Sequence, residues 1–314
     1  MPTDPIFSSF EPRHADLWGQ TPIRLNHRLD HSELFTNEAL GDLIDRYPRA
    51  GYSLVQWGEQ GTDRGSWREG DLGGLRGTEV IDAIAEARLW INLRDVANVD
   101  PRYAALRDEI FAELRGYMPD YGMYGEKIGI LISSPGSRTL YHADLPGQCL
   151  WQMRGVKRVY VYPRAAPFIR PEHVEGIALS GVEVNMPYQP WYDEHATVFD
   201  LQPGEMLHWP LNAPHRVDNH DCLNVSMTME YFTDKIRRSH MVTIANGILR
   251  HKMGFSPRSQ ATDGPGFWTK AVFQKAMKNT SWVKRENKPR KPSSFTLDRS
   301  RPGAVVDLPL QAAE

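Results

Sequence analysis

The period of the hydrophobic positions changes twice along the chain. Over residues 32–46, Leu34, Phe35, Leu40, Leu43 and Ile44 recur at the three- and four-residue spacing of one helix face. Ser32 is placed to cap that helix and Pro48 to end it. Thr78 and Asp100 open two further helical stretches, the second with Pro101 in its first turn and an apolar stripe of Tyr103, Leu106, Ile110, Phe111 and Leu114. Residues 127–133, 148–153, 156–162, 197–201, 205–209 and 223–232 are instead short β-rich runs separated by Pro and Gly turns, the pattern of a small sandwich or barrel. Beyond Asp234 the helical period returns in 241–252, stopped near Gly254, and in 267–277. The first thirty residues hold no sustained period and read as an arm, 59–77 is a Gly-rich charged loop, and the stretch after Asn279 is a Pro-, Lys- and Arg-rich tail. The chain therefore divides into an N-terminal arm with helices (1–120), a β core (121–234) and a helical C-terminal extension (235–314).

With 40% apolar and 24% charged residues, the 314-residue chain can build a sizeable core and is neither a disordered tail nor a membrane bundle. Its longest aliphatic run, 128–132, is far short of the roughly 20 residues of a membrane span. No basic start followed by an apolar run precedes it, so the expected location is the cytoplasm. Cys149 and Cys222 give no disulfide framework, which suits a reducing compartment. The net charge of −2 hides an asymmetry: residues 235–314 hold 16 Lys/Arg against 5 Asp/Glu, and the rest of the chain is strongly acidic. Because the basic residues are spread along helices, the acidic body of the same fold is their expected partner, in preference to nucleic acid.

A histidine followed two residues later by a carboxylate puts both side chains on one face of a strand, within reach of one metal. From 11 His and 39 acidic residues, chance alone gives about 1.4 such pairs, and four occur. His14/Asp16 lies in the arm, His31/Glu33 at a helix start and His173/Glu175 in an expected loop after Pro171, so each is read as solvated surface. His142/Asp144 lies between two predicted strands. The turn-strand-turn running from Pro203 through Trp209 to Pro214 delivers a third ligand, His215. Two imidazoles and one carboxylate on one side of a metal leave positions open, the arrangement of non-haem Fe(II) oxygenases. Lys157, on the strand after Gly155, is placed to pair with the distal carboxylate of 2-oxoglutarate. No phosphate loop, nucleophile elbow or paired C-x-x-C competes with this reading.

On these residues the chain resembles the cupin-type JmjC oxygenases that depend on Fe(II) and 2-oxoglutarate, especially their asparaginyl hydroxylase that acts on hypoxia-inducible factor. The likeness covers about 128–232, through Thr139-Leu140-Tyr141-His142-Ala143-Asp144, Gln152 to Arg158 leading into Tyr162-Pro163, and the Pro-Gly strand ending in His215. It implies a mainly β fold with flanking helices, a double-stranded β-helix (jelly-roll) core, and O2 as oxidant. It implies that His142, Asp144 and His215 hold iron and that Thr139 and Lys157 bind 2-oxoglutarate, with Gln148 and Thr228 at polar positions facing the co-substrate. The chain departs from the pattern at Glu230, where an aromatic is common, and at Asn212-Ala213-Pro214. Tyr124, Trp151 and Trp209 are candidates to line a substrate cleft, as is Tyr141, and Arg138 and Arg216 to contact an anionic substrate. The expected reaction is hydroxylation of a protein or peptide side chain, with a free amino acid or natural-product intermediate as the alternative substrate. Two other readings stay open, a non-catalytic binding protein and a metal cupin of different chemistry. The C-terminal helices are a candidate homodimer surface, as in the hydroxylase it resembles.

Overall fold

The computed structural model describes residues 4–57, 67–181, 186–277, 280 and 292–309. Its regular elements run α1 (Pro12–Leu17), β1 (Ile23–Asn26), α2 (Asn37–Asp45), β2 (Tyr52–Gln56), β3 (Arg68–Asp71), α3 (Gly77–Glu86), β4 (Leu89–Leu93) and α4 (Pro101–Tyr117). They continue with β5 (Tyr124–Ser133), β6 (Arg138–His142), β7 (Gly147–Arg154), β8 (Lys157–Val161), α5 (Pro171–Ser180), β9 (Thr197–Leu201) and β10 (Glu205–Trp209). β11 (His215–Asn219), β12 (Asn224–Phe232), α6 (Asp234–Met253), α7 (Gly264–Met277), β13 (Phe295–Leu297) and β14 (Val305–Asp307) complete the chain.

The strands form a large sheet of ten, ordered β1-β10-β7-β12-β5-β4-β2-β3-β13-β14, and a small sheet of four, ordered β6-β11-β8-β9. Side chains alternate across each strand, so the large sheet has two faces with different tasks. One carries Ile130, Trp151, Met227 and Met229 into a core shared with Leu43 of α2, Ile84 of α3 and Phe111 of α4. The other carries Leu150, Leu207 and Trp209 against Val159, Val161, Leu201 and Val217 of the small sheet. That second layer is the interior of a jelly roll, the double-stranded β-helix expected from the sequence. Behind the small sheet, Tyr141, Tyr162, Phe168, Ile177 and Tyr192 form a third cluster under α5.

Most strands of the β core and the helices α3, α4, α6 and α7 lie near their predicted positions; the differences are instructive. The helix expected from Ser32 opens with a separate 3-10 turn, Glu33–Phe35, and α2 starts only after Thr36, whose hydroxyl accepts from the Ala39 amide. The loop expected around His173 and Glu175 is helix α5; Glu175 is buried at 1% exposure and bound to Arg250 of α6 at 2.8 Å. His14 lies in α1 and closes its first turn, its ring accepting from the Glu11 amide. Pairing partners explain β2 to β4: they extend the large sheet from β5, and β13 pairs in parallel with β3. Basic residues of the C-terminal extension do meet the acidic body, with Arg299 bound to Asp82 and Glu86 and Arg250 to Glu172 and Glu175. Of the expected 59–77 loop, residues 59–66 lie outside the described residues, and the remainder holds strand β3 before α3 begins at Gly77. Among those described, no helix is long and apolar enough to cross a membrane.

Candidate metal and co-substrate site

The register of the small sheet assembles the triad. His142, the last residue of β6, lies directly opposite His215, the first of β11, and their ring centres are 4.1 Å apart. Asp144 follows two residues beyond β6, with its oxygens 3.9 Å from His142 Nε2 and 3.3 Å from His215 Nε2. One ligand atom from each of the three lies within 4.8 Å of the others, and all three side chains are largely buried. His142 Nδ1 is 2.6 Å from the Leu140 carbonyl and His215 Nδ1 is 3.0 Å from the Ala213 carbonyl. A carbonyl only accepts, so each Nδ1 carries the proton and each Nε2 presents a lone pair toward Asp144.

Three acceptors converging in a buried space require a cation between them. His215 does not supply that charge at neutral pH, because burial, reinforced by His142, pushes its imidazole down to about 4 against the opposing pull of Asp144. Two imidazole nitrogens and one carboxylate are borderline ligands that suit a divalent transition metal such as Fe(II). The residues present therefore fit the metal that the sequence pattern implied. Two neighbours hold them in place. Trp209 packs its ring 4.4 Å from that of His215. Asn212, in a left-handed turn at φ 58°, donates its amide to the Asp144 carbonyl at 2.6 Å.

Lys157 starts β8 opposite Asn219 of β11 and Leu201 of β9, on the same side of the small sheet as His215. Its exposure is 4%, and no carboxylate among the described residues pairs with it. Burial alone pulls its ammonium down to about 8. A buried ammonium without a counter-charge is costly unless an anion joins it. Thr139 lies three residues before His142 on the same strand, opposite Val217 and open to solvent. Thr228 of β12 faces the jelly-roll interior, between Leu150 and Gly129. Any side chain at Gly129 would begin 2.9 Å from the Thr228 hydroxyl, so the glycine leaves room for that group. Gln148 of β7 lies on the interior side between Trp209 and Glu230.

The remaining candidates divide. Tyr124 pairs with Phe232 at the lip of the sheet, its hydroxyl buried without a partner. Trp151, expected near substrate, faces the opposite side of the large sheet, 5.0 Å from both Phe7 and His27, because it is one residue out of phase with Leu150 and Gln152. Arg216 points out of the small sheet, over the Tyr160 ring and bound to Asp193 and Asp218. Arg138, opposite Asp218, is likewise on the outer side and 57% exposed. Tyr141 also faces outward, donating to the Phe168 carbonyl. Alternation about His142 and His215 accounts for Tyr141 and Arg216, and the register shift between His215 and Val217 turns Arg138 outward beside Asp218. Two residues given no role from the sequence do belong at the site: Asn212 and Glu230.

No protein family matches the sequence, and no curated protein does. Among solved structures the chain is similar to YcfD of Escherichia coli, at TM-score 0.51 and 16% identity, over 89% of this chain and 71% of that one. It is also similar to the same ribosomal oxygenase in complex with cobalt and 2-oxoglutarate, at TM-score 0.51 and 17% identity over 88% of this chain and 69% of that one. The likeness to the form with cobalt and succinic acid has TM-score 0.50 and 16% identity, over 90% and 70% of the two chains. At such identities the likeness is one of fold, a jelly-roll core with large mixed sheets and flanking helices.

Proposed function

We propose that this chain is an Fe(II)- and 2-oxoglutarate-dependent oxygenase that hydroxylates a carbon of a protein or peptide side chain. The observation that carries the reading is the pairing of a His142-Asp144-His215 triad with a buried ammonium, Lys157, on the same side of one small sheet. A binding module has no use for an unpaired charge beside a metal site. The structurally similar ribosomal oxygenase was solved with cobalt and 2-oxoglutarate and with succinic acid, which agrees with both halves of that pairing.

Bound iron, with 2-oxoglutarate and O2, supplies the oxidising power, one oxygen atom entering the substrate while 2-oxoglutarate becomes succinate and CO2. The chain's own residues do the rest. His142, Asp144 and His215 hold the metal from one side, leaving the others open. Lys157 takes the distal carboxylate of the co-substrate, with Thr139 as a second donor and Gln148 and Thr228 as polar neighbours. Leu150, Leu207, Val159 and Val217 keep water from the interior. A polypeptide substrate is favoured by the shape of the large sheet. β4, β2, β3, β13 and β14 continue it past the four strands that the small sheet faces, and Trp90 and Asn92 lie on the site-facing side of that extension. At roughly 4.8 Å per strand, it adds a shelf about 20 Å wide on which a chain can lie. We place the protein in the cytoplasm, and a homodimer on the exposed Trp268 and Val272 of α7.

Anaerobic addition of Fe(II) and then 2-oxoglutarate to metal-free protein should produce a visible charge-transfer band that needs both. The band should vanish in His142→Ala and weaken in Lys157→Ala. Folded, iron-loaded wild-type protein without a band would refute the oxygenase reading.

A further inference from the structure

The mouth of the jelly roll carries a carboxylate that the metal chemistry does not use. Glu230 of β12 is directly opposite Lys127 of β5 on one side and Gln148 of β7 on the other. Gln148 is in turn opposite Trp209, which packs on His215. Four strands thus lay Lys127, Glu230, Gln148 and Trp209 in one row on the side of the sheet that faces the metal, with Glu230 two strands, about 10 Å, from Trp209. The Gln148 side chain lies across the strand pair from Glu230, on the same side of the sheet. Burial raises the Glu230 carboxyl above its ordinary range, and Asp144 and Asp95 raise it further, while Lys127 acts in the opposite sense. The two nearby groups of its own sign thus outnumber the one cation, and that cation is exposed at the rim.

The charges of the proposed oxygenase site sharpen the point. A divalent metal, the Asp144 carboxylate, the Lys157 ammonium and a dicarboxylate co-substrate cancel. Glu230 is then left facing the reaction chamber, with Asp95 acting on it in the same sense and, among the described residues, Lys127 as the cation opposing them. A half-buried carboxylate in that position favours an entering cation and disfavours an anion or an apolar chain of the same shape. We propose that Glu230 selects the substrate by accepting hydrogen bonds from a cationic nitrogen, an ammonium or guanidinium, at the end of a basic side chain. Gln148 orients the carboxylate, and Trp209 and Asn212 border the path from it to the metal. The aliphatic stem of a basic side chain then crosses the metal while its charge is held beyond it. This inference rests on the oxygenase reading for the location of the chamber, and it assigns the substrate class of that same site.

The test is calorimetric titration of protein loaded with Zn(II) and 2-oxoglutarate, conditions in which no turnover occurs. The probes are the tripeptides Gly-Arg-Gly and Gly-Lys-Gly, with Gly-citrulline-Gly and Gly-norleucine-Gly as neutral counterparts. At least one cationic probe should bind roughly tenfold or more tightly than its neutral counterpart, and Glu230→Gln should abolish that preference. Glu230→Gln keeps the shape of the side chain and its contact with Gln148, so folding is not the variable. Equal affinity for charged and neutral probes, no measurable binding of either cationic probe at millimolar concentration, or a preference that survives in Glu230→Gln would overturn the assignment. Failure of the protein to take up 2-oxoglutarate in the loading step would instead remove the oxygenase reading, and it registers before any peptide is added.

Discussion

An ammonium inside a β-barrel with no carboxylate beside it among the described residues persists only because the rest of the fold offsets its desolvation. Lys157 is that group, and its pull from the ordinary lysine value down to about 8 corresponds to roughly 3 kcal/mol of lost stability at neutral pH. Its folded-state value lies below its unfolded one, so the penalty is complete below about pH 8 and is relieved as the pH rises through 8 toward the unfolded value. Lys157→Met should therefore raise the melting temperature of the metal-free protein by a few degrees while losing 2-oxoglutarate binding. In the wild type, 2-oxoglutarate affinity should hold below about pH 8 and fall about tenfold per unit above it, because only the charged amine pairs with the carboxylate. A destabilised Lys157→Met variant, or affinity flat to pH 10, would show that the ammonium has a partner other than the co-substrate. The His142-Asp144-His215 triad and Lys157 stood out in the sequence because their chemistry is rare in combination and their spacing fits strands, and the structure brings them to one side of the small sheet. Trp151, Arg138 and Arg216 were not placed correctly because the side of a strand on which a residue falls depends on register, and one residue out of phase reverses it.

Strands β6 and β11 hold two of the three residues of the candidate metal triad, yet neither reads as a strand from its hydrophobic pattern. Arg138, Thr139 and His142 on one, and His215, Arg216, Asp218 and Asn219 on the other, are polar because one side carries the triad and the other meets ion pairs. β-propensity and alternation report a half-apolar surface, which these strands lack. Helix α3 was legible, but the constraint on its approach to α2 was not. A methyl group on Gly77 would lie 2.1 Å from the Gly41 carbonyl oxygen, and one on Gly41 would meet Thr78. The two helices cross at a backbone-to-backbone contact that no side chain fits. Gly77→Ala should cost about 1–3 kcal/mol or more, read as a lower urea midpoint. Gly176→Ala, in the middle of α5 with nothing within 4 Å, should instead gain about 0.5–1 kcal/mol from helix propensity. Equal effects from the two would mean that the close approach of α2 and α3 is not real.

Over the whole molecule, sequence-distant segments share one sheet: β2 to β4 from the first hundred residues, β5, β7, β10 and β12 from the core, and β13 and β14 from the end. Composition marked the N-terminal and C-terminal segments as helical flanks and gave no sign that they add strands, since a three-residue strand such as β13 is held by Phe295 lying over Gly70 and by its neighbour β3, not by its own pattern. The small sheet is the less extended layer, and the residues of its candidate metal triad come from an edge strand, the loop after it and the adjoining strand. Without a cation, the lone pairs of His142 and His215 confront Asp144, so a bound metal relieves that repulsion as well as tying the three segments together. At a free metal concentration about 100-fold above its dissociation constant, linkage gives roughly 2.7 kcal/mol, a rise of several degrees in melting temperature. Chelation should reverse the rise, and His142→Ala should show neither the rise nor its reversal. An equal shift in that variant would place the stabilising metal elsewhere on the protein, and the triad would then be only a set of buried side chains close together.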